Sequence, residues 1–155
     1  MWADSRTALE PLALDSRARI LDVGAGTGEL TGVLREESPG ETVACDADAG
    51  LLSRVPGPVV QADATRLPVV DGGVDLVVCQ ALLVNLPDPG AAIREFARVS
   101  SDLVAAIEPD NSAVSLTSTV DAEAPLARRA RERYLAGVET YASLGSVAPE
   151  FRKAG

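Results

Sequence analysis

Short apolar runs alternate with amphipathic segments along most of the chain. Runs at 19–23, 41–46, 59–64, 74–79 and 103–107 combine apolar and β-branched residues and predict five strands. Apolar residues at helical spacing after the first run, over 49–54 and over 89–99 predict the intervening helices. Strands that alternate with helices are typical of a parallel sheet covered on both faces. The pattern and the length therefore predict a single α/β domain over 1–155.

Three alternating glycines stand where the first strand ends, at Gly24, Gly26 and Gly28. Glycine lets the backbone take positive φ and places no Cβ between the main chain and a ligand. The free N–H groups of the helix that follows are expected to point into the same space. Strand, turn and helix together predict a small-molecule site.

The spacing and charge of this turn argue against a phosphate ligand. The pattern is G-x-G-x-G, whereas a dinucleotide fingerprint is G-x-G-x-x-G and a P-loop ends in Gly-Lys-Ser/Thr. No lysine or arginine lies between Arg19 and Arg35, but acids stand at Asp22 and Glu29. Carboxylates suit a ligand that carries positive charge.

This turn resembles motif I of the class I S-adenosylmethionine-dependent methyltransferases, whose cofactor carries a sulfonium and an ammonium group. Motif I, later acids at Asp46 and Asp63 and the segment 83–89 carry the resemblance, which covers about 18–104 well. It implies a doubly wound, three-layer α/β fold with a parallel sheet of order 3-2-1-4-5. It also implies that S-adenosylmethionine is the cofactor and that a small molecule accepts the methyl group.

The turn and the resemblance predict a set of cofactor-binding residues and no metal ligand. These residues are Asp22, Gly24, Ala25, Gly26, Gly28, Asp46, Ala47, Asp63, Ala64 and Gln80. By resemblance, Asp46 accepts hydrogen bonds from the ribose hydroxyls, while Asp63 and the Ala64 N–H contact the adenine. The alternatives are an N-cap of the helix 49–54, which fits Asp46 or Asp48, and a turn-forming role for Asp63.

The segment 80–89 resembles the part of the family that closes over the methionine end of the cofactor. Gln80 is expected to hydrogen-bond that end, whereas the neighbouring leucines Leu82, Leu83 and Leu86 are alternatively core residues. Glu108 and Asp110, after the fifth strand, either touch the acceptor or are solvated loop acids. Because the chain has no histidine, histidine-assisted deprotonation of the acceptor is excluded.

The amino-acid composition and net charge limit the classes of partner that the protein is expected to bind. A net charge of −9 argues against nucleic acid as a partner of the bulk surface. Lys153 is the only lysine, which indicates either salt adaptation or a GC-rich genome that replaces Lys by Arg. No apolar run approaches the ~20 residues of a membrane span, and the first residues lack a signal-peptide pattern. These features predict a cytoplasmic protein without a membrane partner.

Cys45 and Cys79 end the predicted second and fourth strands. In the family's strand order the first strand lies between theirs, which separates the two residues by ~9–10 Å, beyond disulfide reach. We expect free, buried thiols.

The sequence after the fifth strand departs from the family pattern. Residues 151–155 resemble the lead-in to a sixth strand, and the antiparallel pair that completes the family's sheet is absent. A helical pattern over 121–144, with Tyr134 and Tyr141 on one face, is expected to cross the gap near the acceptor. An open fifth-strand edge predicts a truncated domain, a homodimer or a complex with a companion chain.

Two alternatives to an active methyltransferase stay open. One is a truncated or non-catalytic methyltransferase fold that binds cofactor or a partner chain. The other is a nicotinamide oxidoreductase, which the glycine spacing disfavours.

Overall fold

The computed structural model describes residues 6–109 together with Pro125, Arg128, Arg129, Glu132 and Phe151. Within this part of the chain the strands are β1 (Arg19–Val23), β2 (Glu41–Asp46), β3 (Val59–Gln61), β4 (Val74–Gln80) and β5 (Ser100–Ile107). The α-helices are α1 (Glu29–Glu37), α2 (Ala49–Leu52) and α3 (Pro89–Val99). Short 3₁₀ helices cover Thr7–Leu12, Leu14–Ser16 and Leu83–Asn85.

The strands form one parallel sheet in the order β3-β2-β1-β4-β5. In the central strand, Ile20 pairs with Thr42 of β2 on one side and with Leu76 of β4 on the other. The predicted doubly wound α/β fold and its strand order are therefore confirmed. The order reverses between β1 and β4, and in such sheets ligands bind beyond the carboxyl ends of the strands at this point.

Alternate side chains of the central strands face two separate helical layers. On one face, Leu21 packs in a cluster with Phe96 of α3. On the other, Ile20 packs with Leu34 of α1. All four side chains are buried, and each contributes about 1.5–3 kcal/mol of transfer free energy. Asp88 starts α3 by accepting a hydrogen bond from the Ala91 N–H at 2.9 Å.

The N-terminal residues form two 3₁₀ helices because Pro11 lies inside the first and Ala13, with φ of +50°, separates them. Leu9, Leu12 and Leu14 are buried on the sheet face that α1 covers. The segment therefore completes that layer of the core. No helix in the described part of the chain combines the length and the apolar character needed to cross a membrane.

Some boundaries differ from the predictions. α2 ends at Leu52 rather than at residue 54, and β3 ends at Gln61, shortly before a turn formed by Asp63. Of the helix predicted over 121–144, only Pro125, Arg128, Arg129 and Glu132 are described, and all four are helical. Tyr134, Tyr141 and Asp110 lie outside the described residues.

Cys45 and Cys79 are free and buried, as predicted. Both pair with Val23, from opposite sides of β1. Burial raises the pKa of Cys45 to about 12 and that of Cys79 well above its ordinary value. Both thiols therefore stay protonated at neutral pH.

Candidate functional site

The glycine turn after β1 is anchored on the end of β2. The N–H groups of Gly24 and Ala25 both donate to the Cys45 carbonyl, at 2.8 and 3.0 Å, and the Gly28 N–H donates to the Ala25 carbonyl. The Gly26 N–H donates to Oδ2 of Asp46 at 2.8 Å. The protein itself therefore uses these four N–H groups of the turn to hold its conformation.

The three glycines have different surroundings. A Cβ at Gly24 would lie 2.8 Å from Cδ1 of Leu82, and one at Gly28 would lie 3.0 Å from Val55. A Cβ at Gly26 would meet no heavy atom within 4 Å. All three have positive φ, +56° at Gly26. Gly24 and Gly28 therefore allow close packing, whereas Gly26 faces open space.

A cavity of about 200 Å³ opens between this turn and the end of β4. Five of the predicted site residues line it: Asp22, Gly24, Ala25, Gly26 and Gln80. The remaining lining residues are Thr27, Glu29, Leu30 and Ala81. The wall thus carries two carboxylates and no cationic side chain, which suits a positively charged group. Among the described residues, no cluster of acids and cysteines is arranged to hold a metal ion.

Asp22 is fully buried at the base of this cavity. Its Oδ2 accepts a hydrogen bond from Oγ1 of Thr31 at 2.6 Å, whereas its Oδ1 has no hydrogen-bond partner. Burial raises the pKa of Asp22 from 3.8 to about 6, although the Thr31 hydrogen bond opposes the shift. A buried carboxylate oxygen without a partner is costly, and a cationic ligand would satisfy it.

Asp46 and Asp48 have separate roles. Asp48 is the N-cap of α2, because its Oδ1 accepts from the N–H groups of Gly50 and Leu51 at 2.7 and 3.2 Å. Asp46 accepts from Gly26 through one oxygen and from the Asp48 N–H, at 2.9 Å, through the other. The capping alternative therefore applies to Asp48 alone. Asp46 instead joins the glycine turn to the end of β2.

Asp63 forms a local turn. Its Oδ1 accepts from the N–H and Oγ1 of Thr65, at 2.7 and 2.6 Å, and these bonds hold its pKa below the ordinary value. Asp63 is exposed and Ala64 is buried. Both follow Gln61, which pairs with Asp46 across the sheet and donates from Nε2 to the Ala47 carbonyl at 2.9 Å. Ala47, Asp63 and Ala64 do not line the cavity.

The opposite wall is formed by Gln80, the last residue of β4, and by Ala81, which follows it. Leu83 is fully buried, which confirms the core alternative for this residue. Glu108 accepts hydrogen bonds from the backbone N–H groups of Leu82, Leu83 and Val84, so it is not a solvated loop acid.

Sequence reasoning missed Thr31, Ala81 and this function of Glu108. Asp22 lies near the end of a strand, and Thr31 lies in the first turn of the helix that follows. This spacing is the one local signal that could have indicated the hydrogen bond between them.

The family model described as "Methyltransferase domain" matches residues 21–102, more than half of the chain. The demethylmenaquinone methyltransferase of Mycolicibacterium vanbaalenii is 39% identical over 98 residues, which are 61% of this chain and 42% of that protein. The chain thus spans less than half the length of this curated relative.

Solved structures show the same fold at low identity. An S-adenosylmethionine-dependent methyltransferase from Mesorhizobium loti superposes with a TM-score of 0.68 at 18% identity, covering 97% of this chain and 81% of that one. The [4+2]-cyclase SpnF gives 0.73 at 20% identity, covering 96% and 55%. A chain of the complex that contains the Haloferax volcanii Trm112 methyltransferase activator gives 0.70 at 18%, covering 96% and 64%.

Proposed function

The chain belongs to the methyltransferase domain family, and we propose that it binds S-adenosylmethionine between β1 and β4 and transfers its methyl group to a small molecule. The match to the family model and the shared fold confirm the family and the cofactor that the resemblance implied.

Asp22 carries the proposal. Its Oδ1 is buried without a partner, and the residue lines a cavity whose wall has a second carboxylate and no cation. The ammonium group of the methionine end would satisfy this oxygen. A pyrophosphate would instead face Asp22 and Glu29, and like charges in a poorly solvated site repel strongly.

The cavity is too small for the whole cofactor, since drug-sized ligands occupy about 300 Å³ or more. We therefore place the methionine end in the cavity beside Gly24, Ala25 and Gln80. The adenosine would lie over the open side of Gly26 and along the ends of β2 and β3. There Asp46 would hold the ribose, while Ala47, Asp63 and Ala64 would border the adenine. The Gly28 backbone supports the turn. Each Asp46 oxygen keeps a second lone pair for a ribose hydroxyl.

When bound, the cofactor supplies an electrophilic methyl group on a sulfonium. The chain's own residues bind and orient it, and the apolar Leu82, which packs against Gly24, helps to exclude water. A displacement of this kind depends on proximity and alignment more than on proton transfer. No residue of this chain is assigned a catalytic role.

We propose a quinone-type aromatic ring as the acceptor, which the likeness to demethylmenaquinone methyltransferases supports. We also propose a cytoplasmic location, adaptation to high salt, and assembly with a second copy of the chain or with a companion chain. The structure of a related fold in a complex with an activator favours the companion chain.

A second candidate is cofactor binding without methyl transfer. The fold of SpnF, named as a cyclase, favours it, because one fold can support several chemistries.

Calorimetric titration of the full chain with S-adenosylhomocysteine and with NAD tests these alternatives. Mass spectrometry of a short-chain demethylmenaquinol incubated with S-adenosylmethionine then tests methyl transfer. Binding with a mass gain of one methyl group supports the proposal. Binding without transfer supports the second candidate, and binding of NAD alone contradicts both.

A further inference from the structure

Glu108 directly follows β5 and reaches across to the segment after β4. Its Oε1 accepts hydrogen bonds from the backbone N–H groups of Leu82 and Leu83, at 3.1 and 2.9 Å, and its Oε2 accepts from Val84 at 3.3 Å. The Sγ–H of Cys79 also donates to Oε1, at 3.7 Å. One carboxylate thus organises four donors that lie 24 to 29 positions earlier in the chain.

The segment that Glu108 holds is strained and borders the cavity. Ala81 has φ of +50°, a left-handed conformation that is strained for a non-glycine residue. Two further bonds keep it there: its N–H donates to the Ile107 carbonyl at 2.9 Å, and Nδ2 of Asn85 donates to its carbonyl at 2.7 Å. Gln80 and Ala81 line the cavity, and Leu82 packs against Gly24. Any shift of this segment would change the shape of the cavity.

We propose that Glu108 is a positioning residue, which sets cofactor affinity by holding the backbone of residues 80–85 against the glycine turn without touching the cofactor. The inference rests on the proposed function, because the cavity is taken to bind the methionine end. Glu108 itself does not line the cavity. Its effect on binding therefore passes through Leu82, Leu83 and Val84.

Glu108→Gln tests the inference by calorimetry with S-adenosylhomocysteine. Glutamine keeps one acceptor oxygen, but its NH₂ group would face a backbone N–H. We expect binding roughly tenfold weaker than in the wild type and faster amide exchange at residues 82–84. Adding Ala81→Gly, which removes the penalty of positive φ, should restore a substantial part of the lost affinity.

Asp75→Asn is the matched control. Asp75 also accepts two backbone N–H bonds, from Ala18 and Arg19 at 2.7 and 3.1 Å, but near the amino ends of β1 and β4. This variant should lose stability and keep its affinity within about twofold. An equal loss of affinity in Asp75→Asn would show that general destabilisation explains the effect, and would overturn the inference.

The remaining outcomes separate the two proposals. No binding by the wild type overturns the proposed function and this inference with it, whereas wild-type binding with an unchanged Glu108→Gln affinity overturns the inference alone. If Glu108→Gln does not fold, the exposed Asn85→Ala variant tests the same segment. About threefold weaker binding in that variant supports the inference, and an unchanged affinity contradicts it.

Discussion

The turn after β1 and the segment after β4 face one cavity, but different kinds of residue hold them in place. The β1 turn reaches positive φ with glycines, whose backbone accepts this conformation at no steric cost. The segment after β4 places an alanine in the same region of φ and depends on Glu108 and Asn85 to keep it there.

The difference shows where each wall is vulnerable. The glycine turn reaches positive φ through its own glycines and is held by hydrogen bonds to Cys45 and Asp46 of β2, and a side chain added there acts directly on the ligand space. The other wall has no glycine at its positive-φ position and depends on the side chain of Glu108, which does not line the cavity, so changes outside the cavity can alter it.

The largest effect is expected for Gly26→Val. Valine resists φ of +56° and its side chain would enter the open space beside the turn, so affinity for S-adenosylhomocysteine should fall more than about 100-fold. The fold should survive, because the new Cβ has no neighbour within 4 Å. Gly72→Val is the control: its φ is +62°, and its nearest neighbour is the Ser101 side chain, away from the cavity. Normal binding by Gly26→Val would mean that the turn faces away from the ligand.

Asp46→Ala should weaken the same binding by about 1.5–3 kcal/mol, tenfold or more, because a charged acceptor and its bond to Gly26 are both lost. Asp48→Ala removes a carboxylate two residues later that only caps α2. It should lower the melting temperature and leave affinity unchanged. Equal affinities for Asp46→Ala and the wild type would remove Asp46 from the site.

Asp22→Asn should have opposite effects on stability and binding. Because burial raises the pKa of Asp22 to about 6, its contribution to stability is present below pH 3.8 and is lost as the pH rises through about 6. Asparagine avoids the buried charge, so the ligand-free variant should gain about 1–3 kcal/mol in urea unfolding at pH 7.5 and little near pH 4. Its affinity for S-adenosylhomocysteine should fall roughly tenfold.

Asp63→Asn provides the comparison for this variant, because hydrogen bonds from Thr65 lower the pKa of the exposed Asp63. It should not become more stable at pH 7.5. A gain in stability as large as that of Asp22→Asn would mean that removing any negative charge stabilises this acidic chain, whether or not the charge is buried.

Salt should produce the smallest effect. With a net charge of −9, the surface repels itself until counterions screen it, over ~10 Å at 0.1 M and ~3 Å at 1 M. The melting temperature should rise by a few degrees between low salt and 1 M KCl. The gain from Asp22→Asn should persist at both concentrations, because Asp22 is buried. A melting temperature that does not change with salt would indicate that the scarcity of lysine reflects a GC-rich genome and not salt adaptation.

The sequence alone determined the alternation of strands and helices, the start of α3 after Asp88 and the glycine turn with its acidic surroundings. These features depend on residues close in the chain, through hydrophobic periodicity, capping and the conformational freedom of glycine. The strand order followed from the resemblance that the turn and the later acids carried. These features also sufficed to predict five of the residues that line the cavity.

Only the tertiary structure decided which polar groups meet. The unpartnered oxygen of Asp22 depends on the burial of this side chain of β1 against α1, and periodicity does not reveal the partners of a buried carboxylate. Asp46 and Asp48 have the same side chain, so the sequence could not tell which one caps α2 and which one holds Gly26. Glu108 meets Leu82, Leu83 and Val84 because β5 lies beside β4, a contact that only strand pairing creates.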